Sequence, residues 1–245
     1  MSDSGGGTSL ARPTILPNNG GQGSKGYRGM AMEGFIARWY ARTRSSAPQI
    51  AAWRIQAREV TEGMPDRAEV LEVAPGPGYF AVELARLGRV SVTGLEISHT
   101  FVEIARENAR RAGVTLTIRQ GDASRMPFPD GSFNLVVCQA AFKNFSRPQS
   151  AVNEMYRVLR FGGTALIQDM RKDASDAAIR EEVNAMQLSG FRGFMTRRAL
   201  KMLRRRAYTA EQFGSFARAS PFGSSEIRTS GIGLEVRMTK RPLPR

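Results

Sequence analysis

From Ala68 onward the spacing of apolar residues switches repeatedly between strand-like runs and helical periods. AEVLEVA (68–74) is an apolar run that predicts a buried strand, YFAVELARLG (79–88) has helical spacing closed by Gly88, and VSVTGLE (90–96) predicts a second strand. Thr100 and Glu103 have the spacing of a capping box. The helix they would open places Phe101, Ile104, Ala105 and Ala112 on one face, interrupted by Asn108, and stops at Gly113. VTLTIRQ, FNLVVCQ and GTALIQD read as further strands, with a helix over 150–160 between the last two. Helices near 175–188, 194–207 and 209–218 follow, then two short strands near 223–229 and 232–239. Strands alternating with helices in this way predict an α/β fold whose mostly parallel, seven-stranded sheet is covered on both faces.

Ahead of this core, Met32, Phe35, Ile36, Trp39 and Tyr40 fall at three- and four-residue spacing, so residues 30–67 are expected to form a cap of one or two amphipathic helices. Residues 1–29 are rich in Gly, Ser, Pro and Asn without hydrophobic period, the composition of a disordered tail. No run approaches the roughly 18 consecutive apolar residues of a membrane span. The single cysteine, Cys138, excludes a disulfide framework and a Cys-rich zinc site, and the cytoplasm is the expected compartment.

Charge changes the picture in one respect. Lys and Arg number 36 against 22 Asp and Glu, a net charge of +14. The excess sits in the flanks: residues 68–170 hold 11 basic and 10 acidic groups, whereas residues 171–245 hold 16 and 7. Arg197, Arg198, Lys201, Arg204, Arg205 and Arg206 stand largely opposite Ala199, Leu200, Leu203 and Ala207 on one basic amphipathic helix. A solvated outer face accounts for such a run, and so does an acidic substrate or an anionic surface. Nucleic acid is disfavoured because no aromatic residues interleave with the charges for base stacking.

The chemistry concentrates at Val70-Leu71-Glu72-Val73-Ala74-Pro75-Gly76-Pro77-Gly78, a strand and glycine turn running straight into a helix. Glycines let the backbone pass close under a ligand, and the helix amino terminus beyond offers unpaired N–H groups, so a nucleotide-like ligand is expected. Glu96 closes the second strand 18 residues after Gly78, where a carboxylate can accept both hydroxyls of a ribose. Gly121-Asp122-Ala123 follows the third strand, Met126 to Phe133 leads into the fourth, and Arg157 to Gly163 turns into the fifth.

In these ordered motifs the chain resembles the class I S-adenosylmethionine-dependent methyltransferases, near the small-molecule and ubiquinone/menaquinone-type branch. The resemblance implies a Rossmann-like three-layer sandwich over 68–245, with an antiparallel last strand and cap helices at about 175–218. It implies S-adenosyl-L-methionine as cofactor. The turn with Ala74, Pro75, Gly76 and Gly78 would pass beneath its methionine part, Glu72 just before it would also bind the cofactor, and Glu96 would hold the ribose. Ile97 would pack on the adenine, while Asp122 and the Ala123 N–H would reach its polar edge. Gln139 and Ala140 would face the methyl group. Ala74, Asn134 and Phe161 depart from the family's usual glycine, acid and proline.

The implied activity is methyl transfer to a small organic acceptor by in-line displacement, which needs positioning more than a catalytic triad. The alternative is a non-catalytic cofactor-binding or RNA-associating protein on the same fold. Tyr40, Phe142 and Asn144 are the substrate-binding candidates, with Lys143, Asp169 and Arg171 nearby in sequence; Phe142 is equally well accounted for as core. His99, the only histidine, is expected to be structural or to border the adenosine pocket, and no metal site is expected.

Overall fold

The computed structural model describes residues 32–44, 46–188 and 190–241. The tail expected over 1–29 lies outside the described residues. Two helices come first, α1 (Gly34–Thr43) and α2 (Ala47–Val60). The alternating core follows as β1 (Ala68–Val73), α3 (Tyr79–Ala85), β2 (Val90–Glu96), α4 (His99–Ala112), β3 (Thr117–Gln120), β4 (Phe133–Gln139), α5 (Pro148–Val158) and β5 (Leu159–Met170). Helices α6 (Asp176–Ala185), α7 (Gly190–Arg204) and α8 (Ala210–Arg218) precede β6 (Glu226–Ser230) and β7 (Gly233–Thr239). The seven strands lie in the order β3-β2-β1-β4-β5-β7-β6, with β1 to β5 parallel and β7 antiparallel to both neighbours. This is the mostly parallel, doubly covered sheet that the alternation predicts.

The central strands are apolar on both faces because helices cover both. Val70, Leu135, Val137 and Leu166 pack with Phe80 and Leu84 of α3, whereas Leu71, Val136, Cys138 and Ile167 pack with Val152 and Met155 of α5 and Phe213 of α8. Phe142 belongs to the second layer. It is fully buried, with ring centroids 5.1 to 6.0 Å from Phe145, Tyr208, Phe213 and Phe216, so the substrate-binding expectation for it is corrected to core packing.

Helix α4 starts two residues earlier than the Thr100–Glu103 pairing suggests. Ser98 is the cap, its Oγ accepting from Phe101 N at 3.1 Å. Thr100 points its Oγ1 to α1 instead, accepting from Gly34 N at 3.0 Å. Asn108, the polar position on that face, donates from Nδ2 to Pro77 O at 2.8 Å and so fastens α4 to the glycine turn.

Two turn positions show opposite solutions to one backbone demand. Gly78 caps α3 at φ +77°, and a Cβ there would stand 2.8 Å from Ala105 Cβ and 3.2 Å from Ala105 Cα. Ala74 occupies the same left-handed region at φ +58° with its Cβ in place. Gly78→Ala is therefore expected to destabilise the protein by about 2–4 kcal/mol, strain plus overpacking. Ala74→Gly is expected to stabilise it by about 0.5–1 kcal/mol, strain relief less the added chain flexibility. Urea unfolding of both variants checks the pair, and a loss at both positions would show that left-handed strain is not what separates them.

Candidate functional site

The strand order turns back between β1 and β4, and at such a switch point the loops leaving adjacent strands diverge and leave a crevice at the carboxyl ends. Here the crevice is a cavity of about 1230 Å³. Glu72, Ala74, Pro75, Gly76, Glu96, Ile97, Asp122, Ala123 and Gln139 all line it, with Tyr40 and Asn144. Gly78 shapes the turn from just beyond the lining.

One side of the cavity is organised around the buried Glu96. Its Oε2 accepts from Gly76 N at 2.9 Å and its Oε1 from Ser98 N at 2.9 Å, so the carboxylate joins the end of β2 to the glycine turn and to the start of α4. Each oxygen retains a further acceptor position for a ligand hydroxyl. Burial pushes the Glu96 carboxyl up, against the opposing pull of its backbone N–H donors. The turn is also held by Ala74 N donating to Leu95 O at 2.8 Å. Asp122 accepts from Ser124 N and Ser124 Oγ, both at 2.8 Å, and from Arg147 Nη2 at 3.0 Å. Burial works against its charge, but these donors prevail and hold the carboxyl below its ordinary range.

Glu72 is the least satisfied group. It is 3% exposed, and its Oε2 has no hydrogen-bond partner among the described residues. Burial, with the neighbouring Glu96 charge, pushes its carboxyl up to about 8. That shift favours the neutral form of Glu72 at neutral pH, and a cation beside it would favour its ionisation.

The other side comes from the cap and from β4, β5 and β7. Gln139 Nε2 donates to Gln168 Oε1 at 3.1 Å, Gln168 Nε2 donates to Glu235 Oε2 at 2.8 Å, and Gln56 Nε2 of α2 also donates to Gln168 Oε1. Tyr40 meets Phe101 edge-on at 5.9 Å, and Trp53 stacks on Tyr79 at 5.7 Å. The buried Lys143 donates from Nζ to Asp169 Oδ1 at 2.7 Å and from its backbone N to Asp169 Oδ2 at 2.9 Å, which fixes the loop after β4 against the end of β5. Arg171 lies outside the lining.

The sequence did not single out Trp53, Gln56, Gln168 or Glu235 as site residues, since isolated glutamines carry no spacing signal. It also did not single out Glu33. Its carboxylate accepts from His99 N and Thr100 N, each at 3.0 Å, and so closes the start of α4 from the end of the cap. Burial opposes the Glu33 charge, but its hydrogen bonds from Thr100, Ser98 and His99 hold the carboxyl below its ordinary range. His99 itself does not border the cavity: its ring is exposed, with Nδ1 3.8 Å from Glu103 Oε1. Among the described residues no group of three or more His, Cys, Asp or Glu side chains is placed to hold a metal ion.

Residues 71–167 match the methyltransferase domain family. A demethylmenaquinone methyltransferase of Deinococcus radiodurans is 36% identical over 123 residues, 50% of each chain. A ubiquinone/menaquinone biosynthesis C-methyltransferase of Neisseria meningitidis is 33% identical over 108 residues, 42% of this chain and 43% of its own. The chain spans about half the length of the curated relatives it matches. Among solved structures, a provisionally named S-adenosyl-L-methionine-dependent methyltransferase of Methanococcus maripaludis superposes with a TM-score of 0.67 at 20% identity, covering 85% of this chain and 94% of its own. Fold and sequence thus agree on the class I methyltransferase type.

S-adenosyl-L-methionine is the cofactor of this methyltransferase family, and the cavity fits it on three counts. Glu96 offers paired acceptors for vicinal hydroxyls, the turn at Gly76 and Gly78 keeps side chains off the backbone there, and the unsatisfied Glu72 suits a ligand bearing a sulfonium charge. Glu72 also generates a pH prediction. A carboxyl whose folded value exceeds its ordinary 4.5 contributes stability that is full below that value and declines as pH rises toward 8. Glu72→Gln should flatten the fall in melting temperature of the ligand-free domain between these limits and exceed the wild type at the upper one. Calorimetry should also show affinity for S-adenosyl-L-methionine rising over this range more than affinity for the uncharged thioether product. A wild-type melting temperature insensitive to pH there would contradict the assignment.

Proposed function

We propose that the chain transfers the methyl group of S-adenosyl-L-methionine to a small, largely apolar organic acceptor, and that the acceptor atom is a ring carbon of a quinol. The observation that carries this reading is the extent of the cavity. At about 1230 Å³ it exceeds the roughly 300–1,000 Å³ of a site for one small ligand, and it continues past the Glu96 side to a second set of residues that a cofactor alone would leave idle. A pure cofactor-binding or RNA-associating protein gives no reason for that second half. Names of the relatives supply the acceptor class: both act in menaquinone or ubiquinone methylation.

When bound, the cofactor supplies a methyl group already activated by positive sulfur. The contribution left to the chain is orientation and removal of water. In this reading Glu96 holds the ribose and Asp122, Ile97 and the Ala123 N–H frame the adenine, while the 74–78 turn runs beneath the methionine part. Tyr40 and Asn144 border the acceptor. Gln139 and Gln168 each carry an amide nitrogen whose second hydrogen can meet an acceptor oxygen, and Glu235 holds Gln168 in place. As the new bond forms to the acceptor, the bond from methyl carbon to sulfur breaks and the acceptor releases one proton. His99 is too remote to receive it, so turnover should not depend on that imidazole.

The test is mass spectrometry after incubating the protein with S-adenosyl-L-methionine and a reduced short-chain naphthoquinol that lacks the ring methyl. A product heavier by one methyl group is expected. Glu96→Ala should weaken cofactor affinity by about 1–3 kcal/mol, the range for a lost charge-assisted hydrogen bond. Activity of His99→Gln should stay within about tenfold of the wild type, below the range a lost general base commonly costs. Cofactor binding without methylation of any quinol would overturn the quinone acceptor, and failure to bind the cofactor would overturn the whole reading.

A further inference from the structure

Helix α7 does not present its charges and its apolar residues on opposite sides. Phe191, Met195, Arg198 and Met202 recur at four- and three-residue intervals, which places them along one stripe of the helix, Arg205 follows in the turn after it, and every one of them is exposed. Phe191 is 77% exposed and Met202 62%, while only Gly193 of the helix is buried. Leu200 turns toward Met170, Ile179 and Ala207, whereas Phe191, Phe194, Met195 and Met202 face out. Residues 190–206 hold seven Arg and Lys and no Asp or Glu. Lys201 and Arg204 are occupied by Asp176, at 2.6 and 2.9 Å.

A second exposed apolar element meets α7 at the same opening. Trp39 of α1 is 58% exposed and Met202 of α7 is 62% exposed, yet both line the cavity. Residues that line a cavity and remain mostly exposed stand at its mouth. Phe35, 80% exposed, lies one helical turn before Trp39 on the same face of α1. Acidic groups near the mouth are few: Glu182 lines the cavity, Glu33 is engaged by α4, and Asp176 is spent on Lys201 and Arg204.

We infer that α7, with the exposed end of α1, is a docking surface for an anionic lipid bilayer, onto which the cavity mouth opens. Apolar side chains interleaved with arginines on one exposed stripe suit the boundary between lipid headgroups and acyl chains. There Phe and Met enter the apolar region while the arginine stems lie along it and their heads stay with phosphate. Trp at the rim is the residue type that partitions to that boundary. The uncompensated positive charge supplies the complementarity that selects an anionic surface over a zwitterionic one. Among the described residues no helix is long and apolar enough to cross a membrane. The surface stands whatever the acceptor is, since nothing in it depends on the reaction.

The experiment is co-sedimentation of the full chain with vesicles of phosphatidylcholine alone and of phosphatidylcholine with phosphatidylglycerol. Binding is expected only to the second, and strongly reduced between about 0.01 and 1 M ionic strength, over which the screening length shortens about tenfold. Replacing Arg197, Arg198 and Arg205 together by Gln should lower partitioning about a hundredfold, since each charge near an anionic surface contributes several-fold. A Phe191→Ser, Phe194→Ser, Met195→Ser variant should lose it as well. None of these six residues lines the cavity, so cofactor binding and melting temperature should persist in both variants and certify their folding. In the wild type, Trp39 emission should shift to the blue on vesicle addition, read in a Trp53→Phe background. Equal binding to both lipids, or binding indifferent to both variants, overturns the proposal. A dimer in solution that the Phe191, Phe194 and Met195 substitutions dissolve would make the face a self-interface, and tight RNA binding without vesicle binding would make it a nucleic-acid surface. Either result overturns the membrane assignment while leaving the proposed methyl transfer intact.

Discussion

A single buried carboxylate sets the terms for the rest of the molecule. Glu96 ends β2 inside the protein and has no basic partner among its hydrogen bonds; it is satisfied by backbone N–H groups from the glycine turn and the start of α4. The residues that stabilise its charge are therefore the ones that shape the crevice, and any shift of the turn leaves a desolvated oxygen without a donor. Glu72 repeats the cost with less compensation, a backbone hydrogen bond from Ala81 opposing its burial while its Oε2 has no partner among the described residues. A buried carboxyl with an orphaned oxygen is costly by itself and becomes useful beside a cation.

Around that centre the protein stores strain and charge where ligands would collect. Ala74 and Ala140 both sit in the left-handed region, at φ +58° and +53°, directly after β1 and β4. These strands flank the switch point, and a left-handed residue at each end turns the chain sharply away from the sheet, which opens the crevice between them. The Lys143–Asp169 pair does similar work one loop further on. Its removal from water is offset by four hydrogen bonds, three of them involving backbone atoms, so it behaves as a clamp between β4 and β5 rather than as a mobile cation for substrate.

The cap adds what the sheet cannot. Helices α1 and α2 reach the core through Tyr79 OH donating to Ala41 O at 3.1 Å, Arg54 paired with Glu83 at 2.8 Å, and the Glu33 contacts to α4. They bring Tyr40, Trp53 and Gln56 over the carboxyl ends of the strands and give the cavity its second half. Together with α7 they also leave large apolar side chains in water at the mouth, an arrangement that folding alone gives no reason to keep.

What the sequence determined by itself was whatever depends on neighbours close along the chain. Period, glycine placement and strand-end carboxylates specified seven strands, their interleaved helices, and the alignment of the turn with Glu96 and Asp122, because each is set within one βα unit. The tertiary structure alone decided the contacts that span tens of residues. Glu33 caps a helix 66 residues away, and Gln56 meets Gln168 across 112. Phe142 is core rather than site because α8 folds over it, and His99 faces solvent because Ser98, one position earlier, takes the cap. Helix α7 showed its basic run in the sequence, but whether its apolar residues were covered depended on how far α6 and the sheet reach beneath it. Among its apolar residues Gly193 is buried and Leu200 packs against Met170, Ile179 and Ala207, while Phe191, Phe194, Met195 and Met202 stay exposed, and packing of that kind has no local code.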